Sequence, residues 1–169
     1  MKTIVRLLMT AAIGFGIPVR SQAQIYPAKP IKIIVPSPGG ATTDTLARII
    51  AEKLQEKWSQ PVIVDDHAGA AGNIGAEEAI KSAPDGYTLF FSYPAPLVVN
   101  KTLYTKLSYD PDSFVPISLV AIVPLVLAVY PKLAVANVQQ LIAFAKAHPN
   151  QLNFASQGYG TTGHLAGEL

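Results

Sequence analysis

The pattern of apolar and polar positions alternates between two periods along most of the chain. Residues 31–35 are apolar at nearly every position, as in a strand buried on both faces. Prolines at 27 and 30 keep the lead-in 24–30 extended. Leu46, Ala47, Ile50, Ala51, Leu54 and Trp58 then recur at three- and four-residue spacing, opposite a polar face carrying Arg48, Glu52, Lys53, Gln55 and Glu56. This spacing predicts an amphipathic helix of about 15 residues. Its expected N-cap is Thr42 or Thr43, with Asp44 complementing the dipole in the first turn. Pro61 restarts the chain into a second strand, 62–64, which Asp65, Asp66 and His67 end. A short helix over 76–83, a tight turn at 84–86 and a strand over 87–93 follow. Strands alternating with helices predict an α/β fold, a parallel sheet with helices on both faces.

Beyond residue 94 the pattern changes. A short helix fits 97–103, and Tyr109-Asp110-Pro111-Asp112 reads as loop. Residues 117–130 form a long apolar run broken by Pro124, too short and too proline-marked for a membrane span. Two strands meeting at Pro124 account for it, one finishing a first lobe (24–124) and one opening a second (125–169). Asn137 caps another helix with Gln140 as its capping-box partner, and Pro149 ends it. A strand over 152–155, a glycine-rich turn over 158–163 and a helix that has barely begun at Leu165 complete the chain. The second lobe has only about 45 residues, marginal for a core of its own. The chain therefore reads as the front part of a longer protein.

The chemistry gathers at three strand-to-helix turns. The first is Val-Pro-Ser-Pro-Gly-Gly-Ala-Thr-Thr-Asp over 35–44, the second spans Gly69 to Gly75, and the third Gly158 to His164. Each aims backbone N–H groups and the positive end of a helix dipole at one place, the chemistry of an anion site. Other readings fit less well. No Gly-Lys-Ser/Thr follows the first turn, so it is not a P-loop. The second, Gly-x-x-Gly-x-x-Gly, lacks the Gly-x-Gly start of a dinucleotide fingerprint. His164 beside Thr161 and Thr162 could donate to an anion, whereas His67 and His148 read as structural or solvated. Asp65 and Asp66 lack companions at metal-ligand spacing, so no metal or cofactor is expected. Ser156 lies outside any Gly-x-Ser-x-Gly elbow and has no evident base, so enzyme chemistry has no positive signal.

Charge and composition narrow the setting. A basic start (Lys2, Arg6), an apolar run over 7–19 and Ser21-Gln22-Ala23 form a secretory signal, cleaved after Ala23. The run is 13 residues, interrupted by Gly14, Gly16 and Pro18, against about 20 for a span. Removing 1–23 takes three basic residues and no acid, leaving ten basic against eleven acidic. A near-neutral mature chain gives no electrostatic case for nucleic acid. There is no cysteine, hence no disulfide, thiol nucleophile or lipid-attachment site. A freely soluble periplasmic protein is expected.

As an ordered set the motifs are far more specific than singly. They are Tyr-Pro-x-Lys-Pro-Ile with Ile-Val-Pro over 26–36, Gly39-Gly40 with Asp44, and Gly-Ala-Ala-Gly-Asn-Ile-Gly over 69–75. Ala-Pro-Asp-Gly-Tyr-Thr-Leu over 83–89 and Ser-Gln-Gly-Tyr-Gly-Thr-Thr-Gly-His-Leu-Ala-Gly-Glu-Leu over 156–169 complete the set. The chain from Tyr26 to Leu169 resembles the substrate-binding proteins of tripartite tricarboxylate transporters, the Bug-type periplasmic receptors, whose members are typically about twice as long. The resemblance implies a monomeric, two-lobed, non-catalytic periplasmic binding protein that closes on a small organic carboxylate and presents it to membrane permease subunits. By motif position it implies ligand contacts at Pro38, Gly39, Gly40, Ala41, Thr42 and Thr43; at Gly69, Ala70, Ala71, Gly72 and Asn73; and at Ser156, Thr161, Thr162 and His164. Small residues there suit contact through backbone N–H groups and bridging waters. The lobes are expected to hinge near Pro124. Ser37 stands where an aromatic is common, Ala41 and Ala71 where glycine is frequent, and Ala68 where proline is common. A methyl at 41 or 71 narrows the turn or forbids positive φ. Without the returning C-terminal half, first-lobe apolar surface and strand edges are left uncovered. Two competing readings are a small exported hydrolase using Ser156 or His164, and a fragment without binding function.

Overall fold

The computed structural model describes residues 26–169; the signal sequence read over 1–23, and Gln24, lie outside the described residues. Three strands form one sheet. β1 (Ile31–Val35) lies between β2 (Val62–Asp66) and β3 (Thr88–Phe90), and both pairings are parallel. Ile33 stands opposite Val64 on one side and Leu89 on the other. A strand paired along both edges and covered on both faces favours apolar side chains, which explains the run; its one polar residue, Lys32, is half-buried and reaches Asp65 at 3.1 Å. Ile31, Ile33, Ile34 and Val35 are all at most 2% exposed.

The helices follow the strands. α1 (Thr42–Trp58) sets Ala47 and Ala51 into the core, with Leu54 and Trp58 partly buried against it. Its C-cap, Ser59, is left-handed (φ 52°) and returns its N–H to the Gln55 carbonyl. The predicted threonine cap is corrected. The N-cap is Ala41, without a side-chain cap bond, and Thr42 is already helical. Both threonines are inside the helix, so neither hydroxyl is placed to cap it, and Asp44 in the first turn reaches back to accept the Gly40 N–H.

α2 (Asn73–Lys81) starts three residues earlier than its apolar spacing suggested, because the glycine-bearing turn ends at Gly72. β2 runs two residues further than expected, through Asp66, and β3 is shorter than the predicted 87–93. The lead-in is tied to the sheet's opposite end. Tyr26 Oη donates to the Gly86 carbonyl at 2.6 Å, and its ring lies 5.1 Å from that of Tyr87. A π-helical turn (Ala95–Val99) runs into α3 (Asn100–Leu103), followed by a 3-10 turn at Pro111–Ser113.

The strands expected over 117–130 and 152–155 do not form. A strand exists through its hydrogen-bonded neighbours, and neither segment reaches an edge of the three-stranded sheet. Residues 117–130 are instead exposed, Ile117 by 80% and Val126 by 83%. Two helices lie beyond: α4 (Val138–Ala147) and α5 (Thr162–Glu168). Asn137 caps α4 as predicted, its Oδ1 accepting from the Gln140 N–H at 3.0 Å. The Gln140 side chain returns to the Ala136 N–H rather than to that of the cap residue.

Ile33→Ala should therefore destabilise the protein by about 2–5 kcal/mol, since it empties a doubly covered position of the central strand. Denaturant unfolding checks this; a loss under about 1 kcal/mol would show that Ile33 is not core.

Candidate functional site

Parallel strands deliver their connections to one edge of the sheet, and ligand sites form outside those carboxyl ends. Val35 leads into the first turn, Asp66 into the second, and Phe90 into Tyr93. The first two turns are in direct contact: a Cβ at Gly75 would stand 3.0 Å from Pro36 Cα. Tyr93 bridges them, its Oη lying 3.5 Å from the Pro36 carbonyl and against Gly72.

The first turn is braced from behind. Pro38, Gly39 and Gly40 are exposed, while Pro36 and Ser37 are buried. Gly40 takes φ +82°, which glycine adopts without steric cost. Asp44, 3% exposed, accepts the Gly40 N–H at 2.6 Å and lies 2.6 Å from Arg48 Nε. Arg48 Nη2 also donates to Asp66 at the end of β2, at 2.8 Å. The Gly40 N–H is thus committed, and the Ala41 N–H bonds the Pro38 carbonyl. The turn's available donors are the N–H groups that open α1, at Thr42 and Thr43, which have no intrahelical partner.

The second turn carries four consecutive residues at positive φ: Gly69 (128°), Ala70 (48°), Ala71 (51°) and Gly72 (87°). The expectation that a methyl at 71 forbids positive φ is corrected. Ala71 holds the left-handed conformation despite a cost of about 1–2 kcal/mol, and Asn100 Nδ2 donates to its carbonyl at 2.9 Å. Ala41, by contrast, is extended at φ −69° and meets no such strain. Asn73 opens α2 with its Oδ1 facing Asn100 Nδ2 at 2.6 Å and Tyr109 Oη at 2.9 Å.

The third turn reaches the second through Gly160. That glycine is buried, and a Cβ there would stand 3.8 Å from the Ala71 methyl and collide with Leu103. Thr161 caps α5: Oγ1 donates to the Gly158 carbonyl at 2.7 Å and accepts the His164 N–H at 3.3 Å. Thr162 is exposed. Ser156 Oγ accepts the Gly158 N–H, and no hydrogen bond joins it to His164 among the described residues. The His164 ring lies 5.0 Å from that of Tyr159 with Nε2 3.8 Å from Glu168, and its buried Nδ1 has no partner. No cluster of His, Cys, Asp and Glu suited to a metal occurs among the described residues.

Tyr93, Asn100 and Tyr109 are the residues that sequence reasoning missed. Tyr93 follows β3 closely, as Pro36 follows β1, and that parallel was the available signal. Asn100 interrupts the apolar run Leu97-Val98-Val99 and is fully buried, a position asparagine seldom holds without partners.

Residues 46–169 match the sequence family described as the tripartite tricarboxylate transporter family receptor. Protein BugT of Bordetella pertussis is 44% identical over 164 residues, covering 96% of this chain and 50% of that protein. The UPF0065 protein in the tcbD–tcbE intergenic region of Pseudomonas sp. is 39% identical over 145 residues, 85% of this chain and 43% of that one. Among solved structures, Rpa4515 of R. palustris with adipate superposes with a TM-score of 0.80 at 37% identity, covering 85% of this chain and 48% of that one. A periplasmic transporter structure gives 0.74 at 32% identity over the same shares, 85% and 48%. The chain spans about half the length of the curated relatives it matches.

The Asp66 carboxylate behind the first turn titrates in a predictable sense. Burial, then the neighbouring Asp44, push Asp66 above the ordinary carboxylate range, against the opposing pull of Arg48. A carboxylate raised in the fold favours the folded state while protonated, and that contribution is lost as pH rises through its folded value. Asp66→Asn imitates the protonated form. Its effect on Tm is expected to be more favourable near pH ~7 than near pH ~4, and melts at the two values check it; an effect independent of pH would show that Asp66 is not raised.

Proposed function

Because this chain belongs to the tripartite tricarboxylate transporter receptor family, we propose that it carries the ligand-binding turns of a periplasmic receptor for a small organic carboxylate, presented to membrane permease subunits. The family is one of solute-binding receptors, not enzymes. The observation that carries the reading is the gathering of turns at the carboxyl edge of a parallel sheet, the first against the second at Gly75 and the second against the third at Gly160. Helix-start N–H groups on α1 and α2, with the positive ends of their dipoles, favour a carboxylate over a cation.

Residues 24–124 form the first lobe in this reading and 125–169 open the second, with the hinge near Pro124. The ligand contacts are the backbone of 38–43 and of 69–73, the Asn73 side chain, and Ser156, Thr161, Thr162 and His164 from the opposing lobe. Thr161 contributes through its backbone, since its hydroxyl is engaged in capping. The likeness to an adipate complex favours a dicarboxylate. No helix among the described residues is long and apolar enough to cross a membrane, and export through the N-terminal signal agrees with a periplasmic receptor.

Titration calorimetry against a panel of di- and tricarboxylates, adipate included, tests the assignment. One acid at least should bind, and amino acids and cations should not. Silence across organic, amino and aromatic acids would count against the receptor reading. Gly75→Ala should weaken binding by about tenfold or more, because its methyl meets Pro36 backbone rather than a movable side chain, an overpacking of about 1–3 kcal/mol. Unchanged affinity in that variant would mean the two turns need not touch.

A further inference from the structure

We infer that Asn100 is a positioning residue: it turns the Asn73 amide so that the donor end, Nδ2, is the end left for a ligand. The inference rests on the receptor reading above and adds to it a residue outside the three turns.

The orientation follows from a chain of fixed polarities. The Ala71 carbonyl can only accept, so the Asn100 atom 2.9 Å from it must be the NH2 group. That same NH2 lies 2.6 Å from the Asn73 side chain, where a second NH2 would set donor against donor, so Asn73 presents Oδ1. Tyr109 Oη lies 2.9 Å from the same oxygen and 2.8 Å from the Pro96 carbonyl, two acceptors that share its one proton, so the Asn100 NH2 is the group that fixes the Asn73 orientation. Asn100 is 0% exposed and Tyr109 7%, so water does not compete for these groups. Asn73 is only half-buried, and its Nδ2 makes no hydrogen bond among the described residues. An amide turned this way offers hydrogen-bond donors to a carboxylate; the flipped amide would offer it an oxygen.

The same side chain supports the strained backbone beside it. Asn100 holds the Ala71 carbonyl while Ala71 sits at φ 51°, and its unpartnered Oδ1 lies 3.5 Å from a Cβ position at Gly160. One buried amide therefore touches the second turn twice and abuts the third once.

Side-chain amide exchange, followed by 15N NMR on the intact protein, reads the orientation directly. The Asn100 NH2 should exchange slowly, the Asn73 NH2 rapidly, and adipate should shift the Asn73 signal. In N100L, of similar volume but without donors, the adipate-induced Asn73 shift should shrink and affinity fall about tenfold. A slowly exchanging Asn73 NH2 in the free protein overturns the inference even if adipate binds, and so does an N100L variant with undiminished Asn73 shift. The expected exchange pattern in a protein that binds none of the acids refutes the receptor reading and leaves the orientation standing. Should N100L not fold, the exchange pattern of the unmodified protein decides.

Discussion

Parallel pairing on both edges of β1 is the constraint from which the rest of the site follows. The His67 N–H bonds the Val35 carbonyl at 2.8 Å and the Phe91 N–H that of Ile34 at 2.9 Å, so all three strands end together. Their connections must then emerge side by side. A one-residue slip of β2 would move Asp66 away from Arg48 and expose what is now buried, because side chains alternate with a period of two. The placement of the first two turns is thus a property of the sheet register, and only their internal shape is left to glycine and proline.

A buried carboxylate behind a turn proposed to receive an anion looks self-defeating, and the charge arrangement resolves it. Asp44 by itself would repel a bound carboxylate and remove the Gly40 N–H from its use. Arg48, 2.6 Å from Asp44 and 2.8 Å from Asp66, offsets that charge and ties α1 to β2 across the turn. At an effective dielectric near 20, each close pair has a Coulomb term of roughly 4 kcal/mol before desolvation is subtracted. Burial first, and then the nearby Asp44, hold the Asp66 carboxyl above its ordinary range against the pull of the one guanidinium the two carboxylates share. Asp65, one residue back, is held low by His67 and then by Lys32. Adjacent aspartates in one strand differ because Asp66 is the more buried and lies near Asp44, while Asp65 is the more exposed and bonds His67 and Lys32.

What was legible in the sequence is what local rules decide. Residues 31–35 could be read as a central strand because burial on both faces leaves every position but Lys32 apolar, and α1 because its core face repeats at helical spacing. The three turns were legible for a similar reason, since glycine at positive φ is a local demand. The threonine cap failed because the helix begins at Thr42 itself, with Ala41 as its cap residue, a one-residue choice of boundary that composition does not rank. The strands expected over 117–130 and 152–155 failed for a different reason: a strand is a relation between two segments, and apolar character alone supplies only one of them. Tyr93 and Asn100 left only faint local signals and Tyr109 none, because their importance lies in what they touch from 13 to 57 residues away.

The second turn shows how these levels combine. Alanine at 70 and 71 in the left-handed region is locally unfavourable, and a reading by propensity alone would expect the turn to relax. It does not, because a tertiary restraint acts there: Asn100 grips the Ala71 carbonyl, and Gly160 lies close enough that a Cβ on it would touch the Ala71 methyl. A bond of this kind contributes only about 0.5–1.5 kcal/mol, comparable to the strain it opposes, so the restraint has little margin. A turn balanced in this way is sensitive to what lies against it. The third turn is one of the surfaces against it, which means that the shape of the second turn and the position of 158–164 are coupled through Asn100 and Ala71 rather than set independently. Methyl groups at 70 and 71 strengthen that coupling: glycines there would let the turn hold its shape alone.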